Sequence, residues 1–102
     1  MKCSPWQVWL AIVQFEETSE TKRRPVLIVD CDRMIALALK MTSHAPRTGD
    51  YALIDWEKAR LDRPTAVIMQ EKRLTEQVML HQIGSVSLQD KLNIQRILKQ
   101  HR

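Results

Sequence analysis

Residues 25–29, Pro-Val-Leu-Ile-Val, form a compact apolar run entered from Lys22, Arg23 and Arg24 and closed by Asp30. A run this short, rich in β-branched residues, predicts a strand buried on both faces. Pro25 at its first position needs no ladder donor, so Arg24 is expected at the rim of a rigid sheet. Residues 8–13, Val-Trp-Leu-Ala-Ile-Val, predict a second central strand, with Trp6 and Trp9 supplying core bulk. Residues 34–42 instead alternate. Ile35, Leu37, Leu39 and Met41 are predicted to face a core, and Ala36, Ala38, Lys40 and Thr42 an open surface for a ligand or partner.

Further along, residues 51–55 predict a fourth strand, and Asp55 can cap a short helical turn over 56–59. Residues 65–70 predict a fifth strand, and 72–75 and 81–86 two shorter ones. The last element is a helix to about Lys99, with Ser87 as N-cap and Asp90 three residues on in a capping-box arrangement. Leu88, Leu92, Ile94, Ile97 and Leu98 form a wide apolar stripe predicted to pack on the sheet. Residues 15–21, with Glu16, Glu17 and Glu20, predict an exposed, mobile loop. The expectation is one mainly β domain over residues 1–102 with a C-terminal helix.

Composition narrows the classes. A chain of 102 residues makes one small domain that a dimer would help to stabilise. It has no stretch long enough to span a membrane, and residues 1–5 lack the apolar core of a signal peptide, so a cytoplasmic location is expected. Cys3 and Cys31 have no metal-site spacing and are expected to be free thiols. The net charge of +4 resembles a nucleic-acid footprint. Residues 1–90 are balanced, however, and the surplus sits in Lys91, Arg96, Lys99 and Arg102, which also suit the helix dipole. Any RNA argument must therefore rest on local clusters such as residues 22–24.

Two stretches carry candidate chemistry. Arg24 offers a permanently charged planar fork matched to phosphate; the plainer alternative is a solvated strand end that guards an apolar strand against aggregation. Residues 42–49 collect Thr42, Ser43, His44, Arg47 and Thr48 at the end of the alternating strand, although Ser and Thr also populate ordinary turns. With Gly49 and Gly84 as the only glycines, no glycine-rich phosphate loop exists. His81 and His101 have no nucleophile signature beside them and are read as surface or interface histidines.

The order of a Val-Trp-Leu-Ala first strand, a polar loop, Arg24-Pro25-Val26-Leu27-Ile28-Val29 and an alternating strand ending in Met41-Thr42-Ser43 resembles the MazF/PemK toxins of bacterial toxin–antitoxin systems. Asp55-Trp56, Ile83-Gly84 and the capped terminal helix look like a PemK-like branch. The resemblance implies a small SH3-like antiparallel barrel (MazF/Kid/CcdB-like) with a C-terminal helix. It also implies a homodimer that cuts single-stranded RNA without a metal or other cofactor, and an acidic antitoxin whose tail covers the RNA groove.

Carried onto this chain, the family's catalytic Arg and Thr fall on Arg24 and Thr42. Lys22, Arg23, Ser43 and Arg47 are then expected to contact RNA. The loop before Arg24 lacks the family's glycines, and after the fifth strand this chain has Gln70 followed by Glu71, which alternation turns to the other face. His44, whose side-chain type titrates near neutrality, is the candidate general base, with Glu71 and Gln70 behind it. The competing reading is a catalytically silent barrel that poisons a protein target, as the CcdB toxins act on gyrase.

Overall fold

The computed structural model describes residues 1–14 and 20–100. The expected mobile loop, apart from the exposed Glu20 and Thr21, and the reading of His101 lie outside the described residues. Six strands are present: β1 Gln7–Gln14, β2 Thr21–Cys31, β3 Ile35–Thr42, β4 Tyr51–Ala52, β5 Ala66–Thr75 and β6 Met79–Ser85. A 3-10 turn, Glu76–Val78, joins β5 to β6, and helix α1, Leu88–Gln100, ends the described chain. No helix among the described residues is long and apolar enough to cross a membrane.

The strands form one antiparallel sheet in the order β4-β5-β3-β2-β1-β6. This sheet is not closed into the barrel that the resemblance implied. β4 contributes two residues and β6 pairs only with β1, so both edges remain. The sheet nonetheless curls, because Tyr51 of β4 and Ile83 of β6 pack against the same cluster as Ile94 and Leu98 of α1. Gly84 shows how near the β6 edge comes to the turn beyond β4: a Cβ there would overlap the Ala59 carbonyl.

The central run behaves as its composition dictates. Leu27 belongs to the cluster under α1, with Val8, Leu39, Met41 and Val67, whereas Val26 and Ile28 belong to a second cluster on the other face. β2 nevertheless starts four residues before Pro25. Its ladder with β3 begins only at Val26↔Lys40, so among the described residues 21–25 have ladder partners on β1 only. Pro25 is tolerated inside the strand because it lies outside the β2–β3 ladder.

Other expectations are corrected too. Ala36 and Ala38 do not line an open surface; both are fully buried in the second cluster with Ala11, Val13, Val26 and Ile28. Residues 65–70 and 72–75 belong to one ten-residue strand. Leu39 pairs with Glu71 and Met41 with Val67, so two steps on β3 span four on β5, and this bulge interrupts the ladder.

On α1, Leu88 and Leu92 are 68% and 49% exposed, outside the stripe that packs. Asp90 and Ile94 are the buried pair, and residues two positions away lie about 200° around the helix. The predicted cap is present, since the Asp90 N–H donates to the Ser87 hydroxyl at 3.2 Å.

The cysteines also depart from expectation: Cys3 and Cys31 form a disulfide. The N-terminal segment crosses to the far end of β2, bringing two residues 28 apart in sequence to a Cα separation of 6.5 Å, within disulfide range. Sequence spacing carried no sign of this approach.

Candidate nucleic-acid interface

β2 and β3 are locked by Val26↔Lys40, Leu27↔Leu39 and Ile28↔Ala38. Continued two residues beyond Val26↔Lys40, this register sets Arg24 opposite Thr42. On its other side Arg24 pairs with the buried Ala11. Ala11, Val26, Ile28 and Ala38 all belong to the cluster on the face away from α1, and alternation puts Arg24 and Thr42 on that same face. By parity the cation and the hydroxyl fall on one face, Arg24 in the stretch of β2 paired to β1 and Thr42 at the end of β3.

The rest of the basic triplet divides. Lys22 pairs with Val13, a member of the same cluster, and shares the Arg24 face. Arg23 pairs with Ile12 and turns to the opposite face.

Thr42 is half-buried, and its hydroxyl oxygen accepts the backbone N–H of His44 at 3.1 Å. That bond folds the chain into a tight turn and leaves the hydroxyl proton able to donate outward. Ser43 and His44 follow directly and are exposed. Arg47 lies further out in a second turn, where its N–H donates to the Asp50 carboxylate at 2.9 Å and the Asp50 N–H to the Arg47 carbonyl at 3.0 Å.

The two acidic-strand candidates separate. Glu71 pairs with Leu39, whose side chain sits in the cluster under α1, so Glu71 stands on the face opposite Arg24. Gln70 falls in the bulge facing Lys40. Of the base candidates only His44 adjoins Thr42. His81, on β6, is exposed, and one ring nitrogen lies 3.3 Å from the Gln82 carbonyl.

Sequence reading placed Lys40 on the Thr42 face and missed Lys72, opposite Ala38 on the same face. Strand parity was the available signal for Lys40, whereas the bulge hid it for Lys72. The perturbed titrations lie elsewhere. Hydrogen bonds from the Ile35 and Met34 amides hold the Asp32 carboxyl below its usual range at the β2–β3 turn. Burial, reinforced by the hydrogen bond to Asp90, pushes the Tyr51 phenol up to about 12.

Among the described residues no three His, Cys, Asp or Glu side chains gather as a metal-binding group. Comparison with protein-family models and with curated proteins finds no match.

Proposed function

We propose that this chain is a toxin endoribonuclease of the MazF/PemK kind, cleaving single-stranded RNA through attack by the RNA's own 2′-hydroxyl. What supports the reading is that the β2–β3 register, continued past its last pair Val26↔Lys40, would set Arg24 level with Thr42 on one face. In the proposed reaction the 2′-oxygen bonds to the adjacent phosphorus while its proton passes to a base. The 5′-oxygen leaves with a proton, giving a 2′,3′-cyclic phosphate and a 5′-hydroxyl. Arg24 neutralises the pentacovalent intermediate and donates to its oxygens. Thr42, with one lone pair engaged by His44, donates its proton to a phosphate oxygen. His44 is the proposed base, two residues after Thr42 and tied to it through its backbone N–H.

The remaining elements are proposed on the resemblance: an SH3-like fold, a homodimer, an acidic antitoxin partner and a cytoplasmic location. The test is incubation of purified protein with a long RNA in EDTA, followed by analysis of the ends. Discrete fragments with cyclic-phosphate and 5′-hydroxyl termini are expected; intact RNA would reject the reading. One observation favours the binding-toxin alternative, the placement of Glu71 on the opposite face, since it leaves His44 as the only base candidate. Intact RNA together with gyrase inhibition would select that alternative.

A further inference from the structure

The turn beyond β4 and the β6 edge form a cleft of about 480 Å³, lined by Lys58, Arg60, Gln82, Ile83, Gly84 and Ser85. Two local features shape it. Residues 55–61 make one helical turn, in which the Ala59 N–H donates to the Asp55 carbonyl at 3.3 Å, the Arg60 N–H to that of Glu57 at 3.0 Å and the Leu61 N–H to that of Trp56 at 3.2 Å. The last two bonds are those of a helix end closed by a left-handed residue, and that residue is Arg60, at φ 64°. On β6, Gly84 pairs with Val8 and Gln82 with Trp9, so Ile83 is the extra residue of a bulge. Ile83 packs against the cluster under α1, Gln82 and Ser85 stay exposed, and Gly84 lets the strand backbone meet the Ala59 carbonyl.

The cleft is built for an anion. Lys58 and Arg60 are exposed, and among the described residues no carboxylate pairs with either. No Asp or Glu lines the cleft. The Gly84 carbonyl, which would repel an anion, already accepts from Nε2 of Gln82 at 3.2 Å, and Ser85 adds a hydroxyl donor.

Cations at the end of a helical turn ordinarily serve its last carbonyls. Here the Asp55, Trp56 and Glu57 carbonyls are taken by backbone amides, and the Ala59 carbonyl lies against Gly84. The left-handed seat of Arg60 is one that glycine fills best, because a Cβ there crowds the following carbonyl. Conformation alone favours glycine at this position, and what arginine adds is its guanidinium.

We infer that this cleft is a phosphate-binding site, in which the Arg60 fork, the Lys58 ammonium and the Ser85 hydroxyl hold the oxygens of a phosphate group. A guanidinium matches phosphate with paired bonds, and an ammonium adds a point charge. The volume falls within the range of small-molecule sites and is larger than a phosphate ion, so there is room for the group that carries it. Ala59 and Ile83 belong to the α1 side of the sheet, whereas Arg24 and Thr42 face the other cluster. The site is thus distinct from the proposed cleavage site and stands whether or not the protein cuts RNA.

The test is titration of the isotope-labelled full chain with inorganic phosphate, AMP and, at matched ionic strength, sodium chloride, followed through the backbone amide signals of residues 60, 84 and 85. Saturable shifts with phosphate and AMP, absent with chloride, are expected. Lys58→Gln and Arg60→Gly should each weaken binding by about 10- to 100-fold, the value of a hydrogen bond to a charged group. Lys99→Gln, near the end of α1, should leave it unchanged. Melting temperatures no lower than wild type, expected for Arg60→Gly because glycine suits that conformation, separate lost binding from lost folding.

Tighter binding of AMP than of inorganic phosphate identifies a phosphomonoester as the ligand, and equal affinities identify the free ion; both uphold the site. Absence of saturable binding, shifts that chloride reproduces, or affinities in both cleft variants equal to that of Lys99→Gln would overturn it.

Discussion

The Tyr51 hydroxyl donates a 2.6 Å hydrogen bond to Oδ1 of Asp90, a carboxylate with no exposed surface. Asp90 also accepts the Ile54 N–H at 3.0 Å and the Asp55 N–H at 2.8 Å, and Asn93 donates to the Tyr51 oxygen at 2.9 Å. One buried charge thereby ties the first turn of α1 to β4 and the turn after it. Asp90→Ala leaves two amides and a phenol without their acceptor, and should cost at least about 3 kcal/mol. Urea unfolding should show a lower midpoint at an unchanged slope.

The same pair gives a pH prediction. The Tyr51 phenol is raised from 10.0 to about 12 in the fold, by burial first and then by the Asp90 hydrogen bond, partly opposed by Asn93. A raised folded value means that the folded state keeps the proton longer than the unfolded chain does. Its contribution is therefore complete below pH 10 and is lost as pH rises towards 12. Tyr51→Phe should flatten stability over that window when melts are compared at pH 9 and pH 11.5.

Reduction of Cys3–Cys31 supplies the next test. The bridge closes a loop between residues 28 apart that contains β1 and most of β2. On the chain-entropy account its loss should reduce stability by about 3.5 kcal/mol. Denaturation with and without a strong reductant should show that difference in wild type and none in Cys3→Ser/Cys31→Ser. Identical curves for reduced and oxidised wild type would show that the bridge does not stabilise the fold.

How far these features could be read from sequence follows from the range of the interactions involved. The 25–29 strand, the alternation of 34–42 and the Ser87 cap are local patterns, and each corresponds to an observed element. The bulge facing Lys40 defeated the reading of one continuous strand, because two steps on β3 span four on β5 there and the ladder is interrupted. The Cys3–Cys31 approach and the Asp90 clamp join distant segments, and no spacing rule encodes either. Ala36 and Ala38 misled for another reason: a row of small residues fits an open face and an interior face equally well, and only the second cluster decides between them. Within the site, parity puts Arg24 and Thr42 on one face, although the β2–β3 ladder stops at Val26↔Lys40. It could not decide the base, which depends on where His44 turns after the strand ends.

The functional reading depends most on whether Arg24 stabilises charge in the transition state or only attracts RNA. Its seat in the ladder beside buried Ala11, one residue before Pro25, fixes its Cα in a rigid strand, and preorganised donors of this kind give the largest catalytic effects. Lysine at this position keeps the charge and loses the planar fork. Arg24→Lys should therefore bind RNA with a nearly unchanged salt slope, while single-turnover cleavage falls by roughly 10²–10³, the usual cost of one lost oxyanion donor. Thr42 serves as the matching control, because its hydroxyl both accepts from His44 and is free to donate its proton. Thr42→Val should slow cleavage by about 10- to 100-fold, the value of a hydrogen bond to a charged group, and Thr42→Ser should restore most of it. If Arg24→Lys and Arg24→Ala both retain wild-type rates, residues 22–24 are a solvated strand end and the binding-toxin reading takes its place. If Arg24→Lys instead weakens binding and cleavage equally, the guanidinium holds ground-state phosphate, and the transition-state donor lies elsewhere on the Thr42 margin.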